Sequence, residues 1–247
     1  MSTHTTANIG KRALVTGASS GIGAAIAREL AALGVDLVLT ARRRDALDAV
    51  AATCKGVNVE IVTADLGQPD AARALWDAAT ASGPIDILIN NAGFGYFRRF
   101  DEVDWARDAE LVQLNMTSLV ALARCFVDAH KASTRPAHMV NIASTGAYQS
   151  VPNMALYAAS KAFVRNFSEG LHDEHRGTSL SVTSSVLVAP KPPSTLHPVG
   201  ATTRGSRTRR PKARSLWRMP RSARCCVASA RLCPACSTSC RASVCAS

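Results

Sequence analysis

The chain predicts an α/β fold in which a parallel sheet is covered by helices on both faces. Three observations point there. Short apolar runs alternate with helical patterns up to about residue 188. The runs are almost continuous Val, Ile and Leu, as in strands buried on two sides rather than one. A glycine-rich turn, "TGASSGIG" at 16–23, joins the first run to the first helical pattern, where a doubly wound sheet carries its phosphate-binding turn. The fold class is therefore a Rossmann-type doubly wound parallel sheet.

The strands read as "RALVT" (12–16), "VDLVLT" (35–40), "VNVEIVT" (57–63), "IDILIN" (85–90), "AHMVNIA" (137–143) and "LSVTSSVLV" (180–188). Helical patterns fill the intervals at about 21–33, 43–54, 69–81, 105–132 and 155–175. Strictly alternating strand and helix, with no strand run following another directly, is the pattern of βαβ units.

In the glycine turn, Gly17 permits the tight bend, Gly21 lets the backbone approach a pyrophosphate, and Gly23 lets the helix pack closely. Ser19, Ser20 and Ile22 complete the turn. The unpaired N–H groups and partial positive charge of the helix start favour phosphate. A dinucleotide site usually has an acid at the end of the second strand to hold the ribose hydroxyls. Here that strand ends "LVLTARRR", and Asp36 lies at its other end. A guanidinium at Arg42 suits a 2′-phosphate; one charge-assisted bond of about 1.5–3 kcal/mol favours NADP(H) by roughly ten- to a hundredfold. NADP(H) is thus the expected cofactor and NAD(H) the lesser one; a solvated basic turn is the plain alternative.

"YAASK" sets Tyr157 and Lys161 four residues apart, on one face of a helix. "NIAST" ends the fifth strand at Ser144, "NNAG" (90–93) ends the fourth, and Asn115 lies in the helical stretch after it. These motifs and their order resemble the short-chain dehydrogenase/reductase family across about residues 10–188. The resemblance implies an oxidoreductase that interconverts a carbonyl and an alcohol on a small molecule. It implies Tyr157 as proton donor or acceptor and Ser144 as the group polarising the substrate oxygen. It further implies that Lys161 lowers the phenol's proton affinity and binds the nicotinamide ribose, and that Asn115 holds a relay water. Asp65 and Leu66 would border the adenine, and Asn91, Ala92 and Gly93 would line the cofactor through their backbone. Working a phenol near pH 7 takes about 4 kcal/mol, which one ammonium roughly 4 Å away supplies at an effective dielectric near 20. "FGYFRRF" (94–100) and Tyr148 fall where the family builds its substrate wall, although core packing would use the same aromatics. Dimers or tetramers through the helices at 105–132 and 155–175 are also implied.

Composition divides the chain. The net charge is +11, but all 18 acids lie between Glu29 and Glu174, and 12 of the 29 basic residues fall from Lys191 onward. Six of the eight cysteines follow Arg224, whereas Cys54 and Cys125 are isolated. The division predicts a catalytic domain over 1–190 and a basic, cysteine-rich, disordered tail over 191–247. The polar opening "MSTHTTANIGKR" and the lack of a long apolar run predict a cytoplasmic protein without a membrane or nucleic-acid partner.

The tail departs from the family: Pro190 is followed by Lys191 rather than Gly, and no helix-plus-strand pattern comes after. The cysteine spacing "CPACSTSC" is too compressed for a common zinc site, and no metal is expected. A nucleic-acid arm would want aromatic platforms, and only Trp217 accompanies the charge. A GC-rich gene read out of frame yields this composition, and with chosen codons residues 217–240 regroup into a helix-and-strand string. The expectation is a frameshift near 185–195, loss of the last strand and of the substrate lid, and in the extreme a chain that binds cofactor without turnover.

Overall fold

The computed structural model describes residues 11–186. The tail expected to be out of frame, its cysteines and the last strand expected to be lost lie outside those residues. Six strands form one parallel sheet in the order β3-β2-β1-β4-β5-β6. They are β1 (Arg12–Thr16), β2 (Asp36–Thr40), β3 (Val59–Ile61), β4 (Ile87–Asn90), β5 (Ala137–Ile142) and β6 (Leu180–Ser185). The order reverses between β1 and β4, which opens a crevice at their carboxyl ends, where such sheets bind ligands.

Alternation along each strand divides the core in two. Val15, Leu37 and Leu39 face Ile26 and Leu30 of α1 (Gly21–Ala32) and Leu47 of α2 (Arg44–Ala51). Leu14, Val38, Leu88 and Met139 face the other way, onto Leu75 and Trp76 of α3 (Ala71–Thr80) and Leu122 and Phe126 of α5 (Ser118–His130). The edge of the Trp76 ring meets Phe126, which is wholly buried. Removing such an aromatic side chain costs about 3–5 kcal/mol. Helix α6 (Ala155–Glu174) brings Val164, Phe167 and Leu171 onto the same face as α5.

The helix expected over 105–132 is not continuous. It divides into α4 (Trp105–Val112), a π-helical turn (Gln113–Thr117) and α5. Leu111 and Leu119 are buried on either side of the break, and Asn115 is buried within it. By length and composition alone, the 26 residues Trp105–His130 contain a stretch apolar enough to cross a membrane. The α5 part packs on the sheet through Leu122, Ala123 and Phe126, whereas Trp105 at the start of α4 is exposed. The third strand is shorter than the expected 57–63; among the described residues it pairs with β2 alone and stands at the sheet edge. Helix α3 starts late, since Asp70 holds a left-handed φ of 60° directly after Pro69.

At the amino-terminal ends of the strands, the buried Asp86 carboxylate accepts from Lys11 N (2.8 Å) and Arg12 N (3.2 Å) and pairs with Arg135. A buried charge is tolerable only with such partners. Two open depressions of about 470 and 450 Å³ share His130 and Ser133 at this end, away from the glycine turn.

Candidate active site

The glycine turn is built around a single side chain, Asn91. Its Nδ2 donates to Thr16 O (2.9 Å) and Gly17 O (3.2 Å), while Thr16 Oγ1 accepts from the N–H groups of Asn91 and Ala92, both at 2.9 Å. A Cβ on Gly17 would lie 2.8 Å from Asn91 Nδ2, and Gly17 holds a φ of +64°. At Gly23 a Cβ would overlap the Gly17 carbonyl oxygen and sit 2.6 Å from Asn91 Nδ2. Gly23 therefore makes room for the turn itself as well as for helix packing. Gly21 has open space around it, and only its φ of +55° calls for glycine.

Ser20 caps α1 in an extended conformation without a side-chain bond, so the first N–H groups of the helix point outward. Ser20, Gly21 and Ile22 are exposed and Ser19 half-buried. A pyrophosphate fits this arrangement: a positive helix end, glycines where a Cβ would intrude, and no acid in the first turn.

Beyond the turn, the expected adenosine residues divide. Arg42, at the carboxyl end of β2, is exposed and lies 3.6 Å from Glu110 of α4. Asp65 Oδ1 accepts from Gly67 N at 3.1 Å, and the N-cap of α3 is Asp70 rather than Asp65. Leu66 points its side chain into the core, and its carbonyl accepts from Ser118 Oγ at 2.6 Å. Only its remaining backbone is left to border a ligand.

The reaction-centre residues come from three elements. The side chain of Asn115, buried in the π turn, clamps both backbone groups of Phe94: Oδ1 accepts from Phe94 N (3.0 Å) and Nδ2 donates to Phe94 O (2.9 Å). The second Nδ2 proton goes to Ser160 Oγ (3.1 Å), which in turn donates to Tyr157 O (2.7 Å). Both amide protons are thus engaged, and a relay water would have the free lone pair of Oδ1 or the main chain to bind.

Lys161 is buried, and its Nζ donates to Ile142 O at 2.9 Å, at the end of β5. Burial brings its pKa down to about 8. The same Nζ lies 5.9 Å from the centroid of the Tyr157 ring. A Cβ on Gly93 would come within 3.0 Å of Asn115 Oδ1 and 3.4 Å of Lys161 Nζ, so the two converge where "NNAG" ends.

Ser144 follows β5 and caps a short 3₁₀ turn (Thr145–Tyr148), its Oγ accepting from Gly146 N at 3.2 Å. That bond uses a lone pair and leaves the O–H proton to donate. Of the candidate wall, Phe97, Phe100 and Tyr148 are each more than 60 % exposed, which removes core packing as their explanation. Sequence reasoning passed over Thr16, Ser160 and Asp108, and read Gly95 and Tyr96 only as part of the candidate wall at 94–100. Each acts through a contact made after folding, for which spacing carries no signal.

The crevice at the sheet's switch point, the glycine turn and the buried lysine beside a tyrosine define a dinucleotide-binding α/β protein. A sequence profile described as short chain dehydrogenase matches residues 11–195. The chain belongs to that family. It is 32% identical over 184 residues to a very-long-chain 3-oxoacyl-CoA reductase of Anas platyrhynchos, covering 71% of this chain and 58% of the relative. It is 36% identical over 173 residues to 11-beta-hydroxysteroid dehydrogenase 1A of Arabidopsis thaliana, 68% of this chain and 49% of that one. The chain thus spans about half of these relatives' length. A short-chain dehydrogenase from Sphingobium yanoikuyae, solved in complex with NADPH, superposes with a TM-score of 0.68 at 37% identity, covering 72% of this chain and 71% of the other. A metagenomic short-chain oxidoreductase in complex with NADP gives 0.67 at 34% identity, covering 74% and 83%.

Proposed function

We propose that the chain is an NADP(H)-dependent oxidoreductase that interconverts a carbonyl and an alcohol, with Tyr157 as the acid–base group. The observation that carries this reading is the convergence of buried Lys161 and Asn115 on Gly93, one helical turn from Tyr157 and beside the glycine turn. Bound nicotinamide would supply hydride to a carbonyl carbon or take it from a carbinol carbon. Tyr157 gives the proton to the substrate oxygen, or removes it in the reverse direction. Lys161 keeps its ammonium in a buried site, 5.9 Å from the centre of the Tyr157 ring. With one N–H on Ile142 O, Lys161 has others to donate to a ribose hydroxyl and a relay water. Ser144 donates to the substrate oxygen and steadies the charge that develops there.

Arg42 supports NADP(H) over NAD(H), since its exposed guanidinium stands at the end of β2 where a 2′-phosphate would lie; the neighbours solved with NADPH and NADP agree with this choice. The substrate is a small carbonyl or alcohol met by Phe97, Phe100 and Tyr148. Exposed Trp105 on α4 favours a homodimer or homotetramer through the helices at 105–132 and 155–175. A cytoplasmic location, with neither a membrane nor nucleic acid as partner, completes the proposal.

The test is Tyr157→Phe. The variant keeps NADPH binding, read by quenching of tryptophan fluorescence, and loses oxidation of NADPH by a panel of ketones. Full turnover in the variant rejects the mechanism. A second reading, binding without turnover, rests on Lys191 replacing the expected glycine after Pro190. It predicts normal NADPH binding and no turnover in the parent chain as well.

A further inference from the structure

Gly95 lies flat against the ring of Tyr157. A Cβ there would sit 2.5 Å from Cδ2 and 2.8 Å from Cγ, so no other residue fits without moving the ring. The residues on either side of Gly95 are both pinned. Phe94 is held through its backbone by Asn115, and its ring lies beneath the Arg107 guanidinium, 4.1 Å from the centroid. The Tyr96 hydroxyl donates to Oδ1 of Asp108, a buried carboxylate on α4. Farther along, Arg98 N donates to Asn153 O at 2.8 Å, which ties the loop to the approach to α6.

From this geometry we infer that Tyr96 and Asp108 are positioning residues, forming a clamp that presses Gly95 onto Tyr157 and fixes the direction of its hydroxyl. The inference rests on the proposed role of Tyr157. Two independent features agree with it. A carboxylate as buried as Asp108 needs a partner to be tolerated, and Tyr96 supplies one. A glycine that packs on a ring removes the space in which the ring could tilt. Proton transfer needs a donor and acceptor about 3 Å apart and aligned, so a displacement near 1 Å can cost on the order of a hundredfold in rate.

The chain has three tyrosines, and all three lie within the described residues: Tyr96, Tyr148 and Tyr157. Incorporating 3-fluorotyrosine therefore gives a fluorine spectrum with three environments, assigned through single Tyr→Phe variants and read without any turnover. Gly95→Ala and Asp108→Leu should both displace the Tyr157 resonance. Asp108→Asn, which keeps an acceptor for the Tyr96 hydroxyl, should leave it in place. Tyr96→Phe breaks the same bond without altering the carboxylate, and should displace the Tyr157 line if Asp108→Leu does not fold. In steady-state assays, Gly95→Ala and Tyr96→Phe should lower kcat at least tenfold with the NADPH Kd unchanged. An unmoved Tyr157 line in Tyr96→Phe and Gly95→Ala would overturn the clamp, as would an unchanged kcat or a parallel loss of NADPH binding. A turnover-competent Tyr157→Phe would reject the functional proposal instead, leaving the fluorine result standing on its own.

Discussion

Replacing Lys161 by Met should make the protein more stable at neutral pH. The Lys161 side chain is buried, and its pKa falls from 10.5 to about 8 because burial penalises the ammonium. A drop of that size corresponds to about 3 kcal/mol of unfavourable free energy in the charged native form. Loss of the charge-assisted bond to Ile142 O offsets about 1.5 kcal/mol of that. The net gain for Lys161→Met is about 1.5 kcal/mol at pH 7, or roughly 3–6 °C in Tm for a domain of this size. The sign follows from proton linkage. Between pH 8 and 10.5 the unfolded chain holds a proton that the native state has released, so the parent protein gains stability as pH rises. The advantage of the variant is therefore full below pH 8 and fades towards pH 10.5. Thermal melts of both proteins at pH 7 and pH 10 measure it. An unchanged or lower Tm at pH 7, or a gain equal at both pH values, would refute the claim that Lys161 is a costly buried cation kept for function.

Three more outcomes follow from particular contacts. Desolvation, and then the bond to Asp108, push the Tyr96 phenol up to about 12; its contribution to stability is present below pH 10 and lost as pH rises through 12. Absorbance near 295 nm should show one phenol titrating close to pH 12, and that step should vanish in Tyr96→Phe. Gly23→Ala should weaken NADPH binding at least tenfold and lower Tm, because its methyl would overlap the Gly17 carbonyl. Binding titrations and melts check both effects. Arg42→Ala should weaken NADPH binding about tenfold while leaving NADH binding within twofold, measured by fluorescence titration.

The parallel sheet was legible because each strand carries its own apolar run between helical patterns, so its existence needs no distant partner. Bounds were less so: β3 is cut to three residues by its place at the sheet edge, which composition does not encode. The π turn at Gln113–Thr117 was hidden because its residues are compatible with α-helix, and Leu111, Asn115 and Leu119 are spaced as one face of an uninterrupted helix would space them. At the site, Tyr157 and Lys161 were visible through their spacing on one helix. Asn91 was read as a backbone contributor, yet its side chain ties the glycine turn to β4. That role depends on two strands 75 residues apart lying side by side. The Tyr96–Asp108 pair was illegible for a similar reason, since loop and helix meet only after folding.

The central claim is that this crevice delivers hydride from a bound nicotinamide to a carbonyl carbon. The direct measurement uses NADPH carrying deuterium at either the 4R or the 4S position, a ketone substrate and mass spectrometry of the alcohol. The account predicts deuterium on the carbinol carbon from one of the two labelled cofactors only, and none from either in Tyr157→Phe. Alcohol formed without deuterium from either cofactor, or labelled equally by both, would contradict it.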